Sequence, residues 1–136
     1  VTALLDTGFL LAVLDADDRH HEACSAALQQ ESQPLLPDVV LPELGYMTLR
    51  DLGYPVWVRF LRSIVADELP LERTAPEDLD RTAEILEMYS DTKVDFVDSV
   101  IVAMAERLKV ERIFTVDRRH FSLFRPRHCQ YFTIVP

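Results

Sequence analysis

The sequence predicts an α/β fold with a mainly parallel sheet covered by helices on both faces. Three observations predict it. Short apolar runs at 2–5, 35–36, 112–115 and 131–135 read as strands. Longer segments with helical spacing stand between them, and strand–helix alternation favours parallel pairing. Finally, the first run, TALL at 2–5, is short and apolar, as in a buried strand.

The elements follow in order. Thr2–Leu5 is a buried strand that ends at Asp6, and a helix is entered at Thr7. Phe9 to Leu14 is apolar all round, so that helix is expected to be buried, with Phe9 and Leu10 in the core. Asp17 or Asp18 is expected to cap a second helix running to about Gln30. Residues 39–52 and 55–66 read as two helices separated near Gly53, and 71–76 reads as a connection. Thr74-x-x-Glu77 has the form of a capping box with Pro76 in the first turn. The helix behind it, to about Tyr89, carries Leu79, Ala83 and Leu86 at helical spacing. Val97, Val100, Ile101, Met104, Ala105 and Leu108 recur at steps of three and four, which marks the clearest helix, with Asp98 in its first turn.

Length and composition bound the class. The 136 residues, 49% hydrophobic and 27% charged, fit one domain, 1–136, able to bury a core without staples. No run reaches the roughly 18–20 apolar residues of a membrane span. No basic stretch precedes an apolar core as in a secretory signal, and the two cysteines, Cys24 and Cys129, make a poor disulfide framework. A cytoplasmic protein with reduced thiols is expected. The first residue is Val1, not Met, so the natural start is read as altered or trimmed. With three glycines there is no G-x-G-x-x-G loop for a dinucleotide. The net charge of −9 argues against nonspecific nucleic-acid binding. It leaves a nuclease open, since bound metal neutralises site carboxylates and a local basic patch can steer a polyanion.

Four acids stand in apolar contexts: LLDTGFL around Asp6, LPELGY around Glu43, FVDSVIVAMAERL around Asp98 and IFTVDRRHF around Asp117. In open parallel sheets, sites form beyond the carboxyl ends of the strands, where Asp6 and Asp117 lie. The start of the Asp98 helix can face the same crevice. Two like charges about 4 Å apart repel by roughly 4 kcal/mol at an effective dielectric near 20. A hard divalent cation relieves that repulsion and suits in-line hydrolysis of a phosphodiester. Each acid alone has a plainer explanation. Asp6 can cap a helix, Asp98 and Asp95 can complement a helix N-terminus, Asp117 can be a turn residue and Glu43 a surface glutamate. The functional case rests on the set.

Other chemistries fit less well. A haloacid-type phosphatase wants a second acid two positions after the first, where Gly8 stands, and a receiver domain wants adjacent acids near the first strand and a late lysine. His20 and His21 have no further His or Cys at zinc-like spacing, and His128 with Cys129 makes no such motif either. Thr7 is read as a hydroxyl that orients Asp6, or as a cap. Arg118, Arg119 and His120, just after Asp117, are read as contacts to the phosphates of the substrate or as solvated turn charges. Leu49, Leu52, Tyr54, Val56, Trp57, Phe60 and Leu61 are read first as core, and second as a surface for another subunit.

The four motifs, in this order and over nearly the whole chain, resemble the PIN-domain ribonucleases, specifically the VapC-type toxins of bacterial toxin–antitoxin pairs. The tail FRPRH resembles one branch of these. The resemblance implies a three-layer α/β/α sandwich. It implies Asp6, Glu43, Asp98 and Asp117 as catalytic and metal-binding acids, with Thr115 supporting, and Mg²⁺, or Mn²⁺ in its place, as cofactor. RNA as substrate, a homodimer and a VapB-like antitoxin that blocks the site are implied as well. Asp91 matches an acid of some members, and no chemistry is assigned to it or to Asp95. A catalytically silent PIN-fold binding module is the alternative reading, disfavoured because all four acids are intact.

Overall fold

A computed structural model of the chain describes residues 2–136. Strand β1 (Ala3–Leu5) is the centre of a five-stranded sheet, and all three of its residues are buried. Alternate residues of a strand face opposite sides, so burial of every residue means that helices cover both faces. Helices α1 (Thr7–Leu14) and α2 (His21–Gln30) lead to β2 (Pro34–Pro37). A 3₁₀ turn (Asp38–Val40), α3 (Leu41–Asp51) and α4 (Tyr54–Val65) follow, then β3 (Leu71–Glu72) and α5 (Pro76–Met88). After a 3₁₀ turn at Ser90–Thr92 come α6 (Phe96–Leu108), β4 (Arg112–Phe114), α7 (Arg118–Ser122) and β5 (Thr133–Val135).

The strand order is β3-β2-β1-β4-β5, and every neighbouring pair is parallel. Leu4 sits in register with Leu35 on one side and Ile113 on the other. The α/β class read from the sequence is the one observed. No helix is long and apolar enough to cross a membrane.

Helix α6 is buried without interruption from Ser99 to Ala105, as expected of a helix pressed between the sheet and α5. The other helical group is α1, which packs on α2 and α3, with α4 against α3. Gly45 makes that last contact close, since a Cβ there would meet the Trp57 ring at 2.9 Å. Gly53, at φ 92°, makes the break between α3 and α4 in a conformation other residues avoid. Of the large groups in this hairpin, Phe60 and Trp57 join the core, whereas Tyr54 and Leu61 stay exposed.

Several local expectations are corrected. Leu71–Glu72 is an edge strand, not merely a connection. The last strand starts at Thr133, two residues later than expected. Helix α2 starts at His21 behind His20, which makes no side-chain cap; Asp18 instead accepts from the His20 N–H at 2.7 Å. The expected box of Thr74 and Glu77 is not formed: α5 begins behind Ala75, which has no side-chain cap, and the Asp78 carboxylate reaches back to accept the Ala75 N–H at 2.8 Å. Thr74 turns to Asp38, whose carboxylate accepts its hydroxyl at 2.5 Å. The inward face of α5 is Asp78, Thr82 and Ile85, while Leu79 is 51% exposed. Asp78 goes inside because Arg107 of α6 reaches it at 2.9 Å.

Candidate active site

The acids arise from three adjacent strands. Asp6 directly follows β1, and Asp117 lies three residues beyond β4. Glu43 is in the first turn of α3, which the chain enters from the end of β2. Asp98 is in the first turn of α6. Because β2, β1 and β4 are neighbours and parallel, their carboxyl ends open on one side of the sheet.

Asp6 and Asp117 are also tied to backbone, and the turn that carries Asp98 is tied by Asp95. Asp6 is the N-cap of α1 and accepts the Phe9 N–H at 2.8 Å. Asp95 is the N-cap of α6 and accepts the Asp98 N–H at 3.0 Å, so Asp95 fixes the turn that presents Asp98. Asp117 caps α7, accepting from Arg119 N–H at 3.1 Å and from His120 N–H. Buried Thr115 links two of the acids. Its hydroxyl oxygen accepts the Asp117 N–H at 3.1 Å, and its hydroxyl bonds to the Asp6 carboxylate. Its own N–H is held by the Val135 carbonyl at 2.8 Å. Capping and electrostatic roles are therefore combined in the same side chains.

The electrostatics shows how close the set lies. Burial pushes the Asp6 carboxyl up to about 6, against hydrogen bonds from Thr115 and Phe9, and the charges of Asp117 and Glu43 push it further. Burial pushes Asp98 to about 8, helped by the charges of Asp95, Asp6, Glu43 and Asp117. Among the described residues, no Lys or Arg pairs with any of the four acids. The nearest nitrogen-bearing side chain is His120, whose Nδ1 lies 3.4 Å from Asp98 and 3.5 Å from Asp117. His120 holds the place between these two carboxylates, a role the sequence reading did not give it. Its signal was the spacing from Asp117, since a helix starting there brings the third residue back over its cap.

The remaining candidates are placed as follows. Thr7 is buried beside Asp6, and its hydroxyl has no hydrogen-bond partner. Arg118 donates to the Pro136 carbonyl at 2.7 Å, while Arg119 lines an open groove with Arg19, His20 and Asp117. Asp91 is exposed in the 3₁₀ turn before α6. His21 is taken up by the Ala12 carbonyl at 2.9 Å, and His128 by the Val110 carbonyl at 2.6 Å. Cys24 and Cys129 are free thiols. A larger groove, about 800 Å³ and lined by Leu10, Val13, Leu28, Phe60 and Leu69, opens at the other end of the sheet beside Thr2 and Pro34.

The donor set fits a hard divalent cation. It is oxygen-rich, the charges of its members push up the carboxyls of Asp6 and Asp98, and Thr7 offers a further buried oxygen without a partner. Among the described residues, no three His, Cys, Asp or Glu side chains already stand close enough to hold an ion, and Glu43 and Asp117 lie on the exposed side. A shared cation would draw those two inward.

Comparison with known proteins agrees with this geometry. Residues 3–125 match the family model of the PIN domain, and the chain belongs to that family. Within it, the chain is of the VapC type. It is 30% identical over 134 residues to Ribonuclease VapC26 of Mycobacterium tuberculosis, spanning 98% of this chain and 99% of that one. Among solved structures, it resembles the VapC20 toxin of the same organism with a TM-score of 0.79 at 18% identity, over 85% of this chain and 90% of that one. It also resembles the DNA-bound VapBC complex of Salmonella typhimurium, with a TM-score of 0.72 at 17% identity over 98% and 96% of the two chains. At those identities the structural likeness establishes the fold.

Proposed function

We propose that this chain is a Mg²⁺-dependent endoribonuclease, with Mn²⁺ able to substitute, and the toxin of a toxin–antitoxin pair. One observation carries the reading. Four carboxylates remote in sequence lie near enough, beyond one end of a parallel sheet, for the charges of the others to act on Asp98, and among the described residues no Lys or Arg pairs with them. The name of VapC26, a ribonuclease, and that of VapC20, a toxin that cleaves the sarcin–ricin loop, support RNA as the substrate. The VapBC complex supports an antitoxin partner of VapB type. A homodimer acting in the cytoplasm completes the proposal.

Asp6, Glu43, Asp98 and Asp117 would hold the metal. Bound there, it supplies Lewis-acid charge at the scissile phosphate. The protein's own part is positioning. Thr115 and the α1 N-terminus hold Asp6, while Asp95 and the first turn of α6 hold Asp98. These anchors pre-set the carboxylates on rigid elements. His120 stands between Asp98 and Asp117, within 3.5 Å of both, and ties the exposed Asp117 to the more buried Asp98 before metal and RNA arrive. Arg119, at the rim, meets the RNA backbone, and Arg118 does so once released from Pro136.

The test is direct. Purified protein should cut RNA with Mg²⁺ and stop when a chelator is added. Asp6→Asn and Asp98→Asn should each lower cleavage by about a thousand-fold or more, the scale of losing a charge that acts in the transition state, with thermal unfolding still cooperative. Undiminished cutting by both variants would end the assignment.

A further inference from the structure

Beside the acid set lies a small pocket that the proposed chemistry does not use. It has a volume of about 120 Å³. Asp98 and His120 form the wall it shares with the site, Val94, Leu123 and Phe124 form apolar walls, and Thr92 and Lys93 stand at its mouth.

Its shape is fixed by bonds already described or close by. Asp95 caps α6 beneath it. Lys93 holds a left-handed turn at φ 54°, with its N–H on the Ser90 carbonyl. Phe124 packs edge-on against Tyr89 at 5.2 Å, and the Tyr89 hydroxyl accepts the Arg125 N–H at 2.9 Å. The pocket is therefore preformed. Leu123 nonetheless remains 47% exposed next to a charged site.

The walls select the occupant by chemistry. A phosphate is a poor fit, since Asp95 and Asp98 both face the space and only Lys93 opposes them. A flat ring with apolar faces and a polar edge suits it. Apolar side chains and the His120 ring can sandwich the faces, and Lys93, Thr92 and the free side of the Asp95 carboxylate can meet the edge. At about 120 Å³ it is a little smaller than the roughly 150 Å³ cavity that encloses benzene, so a base would enter by one ring with its polar edge left at the mouth. A ring held there would be tethered to a sugar-phosphate lying over Asp98 and its neighbours. We propose that this pocket takes one unstacked base of single-stranded RNA, from a nucleotide adjacent to the bond that is cut. The inference rests on the ribonuclease reading and adds to it the means of choosing the cleavage position.

The experiment uses a short single-stranded RNA that the wild-type chain cuts at one place, and versions in which single nucleotides on either side of the cut are made abasic. For one adjacent position, loss of the base should lower kcat/KM by about ten-fold or more, the worth of one stacked base. Leu123→Ser and Lys93→Asn should cut the base-bearing RNA about as slowly as wild type cuts the abasic one, and cut the abasic RNA at the wild-type rate. Asn tolerates the left-handed turn at 93, and Leu123 is at the surface, so both variants should keep the wild-type unfolding midpoint. If either failed to fold, the abasic series on wild type would still decide. Equal cutting of every abasic RNA, or unchanged discrimination by folded variants, overturns the pocket and leaves the ribonuclease standing. Failure of wild type to cut any RNA removes both.

Discussion

The N-terminal end of α6 leaves Asp98 among four other acids, whereas its C-terminal end puts Glu106 and Arg107 into ion pairs. Near the C-terminus, Arg107 reaches Asp78 at 2.9 Å and Glu72 at 3.2 Å, and Arg81 meets Glu106 at 2.7 Å. The two buried acids there, Asp78 and Glu106, are each held by both nitrogens of an arginine fork. At the other end, burial and like charge push Asp98 to about 8, and among the described residues it has a histidine, not an arginine, beside it. Both ends bury carboxylates of the same kind. The paired end has a complete set of charges and serves the fold. The unpaired end is short of positive charge, a deficit that a metal ion is suited to make good. Acid content alone does not distinguish a site from a structural network; the distribution of arginine does.

The sharpest way to break the comparison is to make the paired end resemble the other. Arg107→Ala would strand Asp78, whose side chain is only 1% exposed. Removing one partner of a buried pair costs about 3–5 kcal/mol, and the lower end applies because Arg107 is itself 26% exposed. Urea unfolding should show the loss, and Asp78→Ala placed on top should recover part of it. A loss below about 1 kcal/mol would mean that the network is solvated and the contrast is unfounded.

Next in size is the pH dependence of the metal-free chain. Asp6 and Asp98 have folded-state pKa values above the ordinary 3.8, near 6 and 8. Between those limits the folded chain holds more protons than the unfolded one, so stability falls as pH rises. The Asp6 part of the fall begins near pH 4 and is complete just above 6; the Asp98 part continues to just above 8. Asp98 faces Asp95, Asp6, Glu43, Asp117 and His120, so the difference between wild type and Asp98→Asn isolates it. In chelator, the variant should equal wild type near pH 4 and exceed it at pH 9 by a few kcal/mol, at about 1.4 kcal/mol per pKa unit. Mg²⁺ should raise the wild-type unfolding temperature at pH 8 and have little effect on the variant. Parallel stability curves for the two proteins would remove the unpaired carboxylate from the account.

How much of this the sequence disclosed follows the same division. Asp6 and Asp98 were legible because each marks a boundary, where a strand ends or a helix begins, and boundaries have local signals. The strand–helix alternation was legible because β1 and α6 are apolar runs whose length identifies them. The paired end was not. On α5, the spacing of Leu79, Ala83 and Leu86 suggested the inner face, yet Asp78 and Thr82 are inside. Their burial depends on Arg107, 29 residues away, and on a Thr82 hydroxyl donating to the Asp78 carbonyl at 2.6 Å. No local pattern encodes such a contact. Strand β3 has two residues and α7 five, too few for any periodicity to register. The place of His120 between two carboxylates went unread for that second reason, since it depends on α7 being a helix.

The smallest expected effect separates the anchoring acid of the paired end from a bystander. Glu84 lies 3.9 Å from Arg81 and 3.5 Å from Arg127, but its side chain is 52% exposed. Glu106 is 8% exposed, meets Arg81 at 2.7 Å and accepts the Arg127 backbone N–H at 2.9 Å. Water screens the first acid and replaces its partners readily. The second has no such replacement. Glu84→Gln should therefore change unfolding free energy by less than about 0.5 kcal/mol, and Glu106→Gln should cost about 1–3 kcal/mol, as expected for a charged hydrogen-bond network left incomplete. Urea unfolding of the two variants side by side measures both. Equal losses would show that this end is held by a diffuse field of charge, and that fixed pairing is not what sets it apart from the end that carries Asp98.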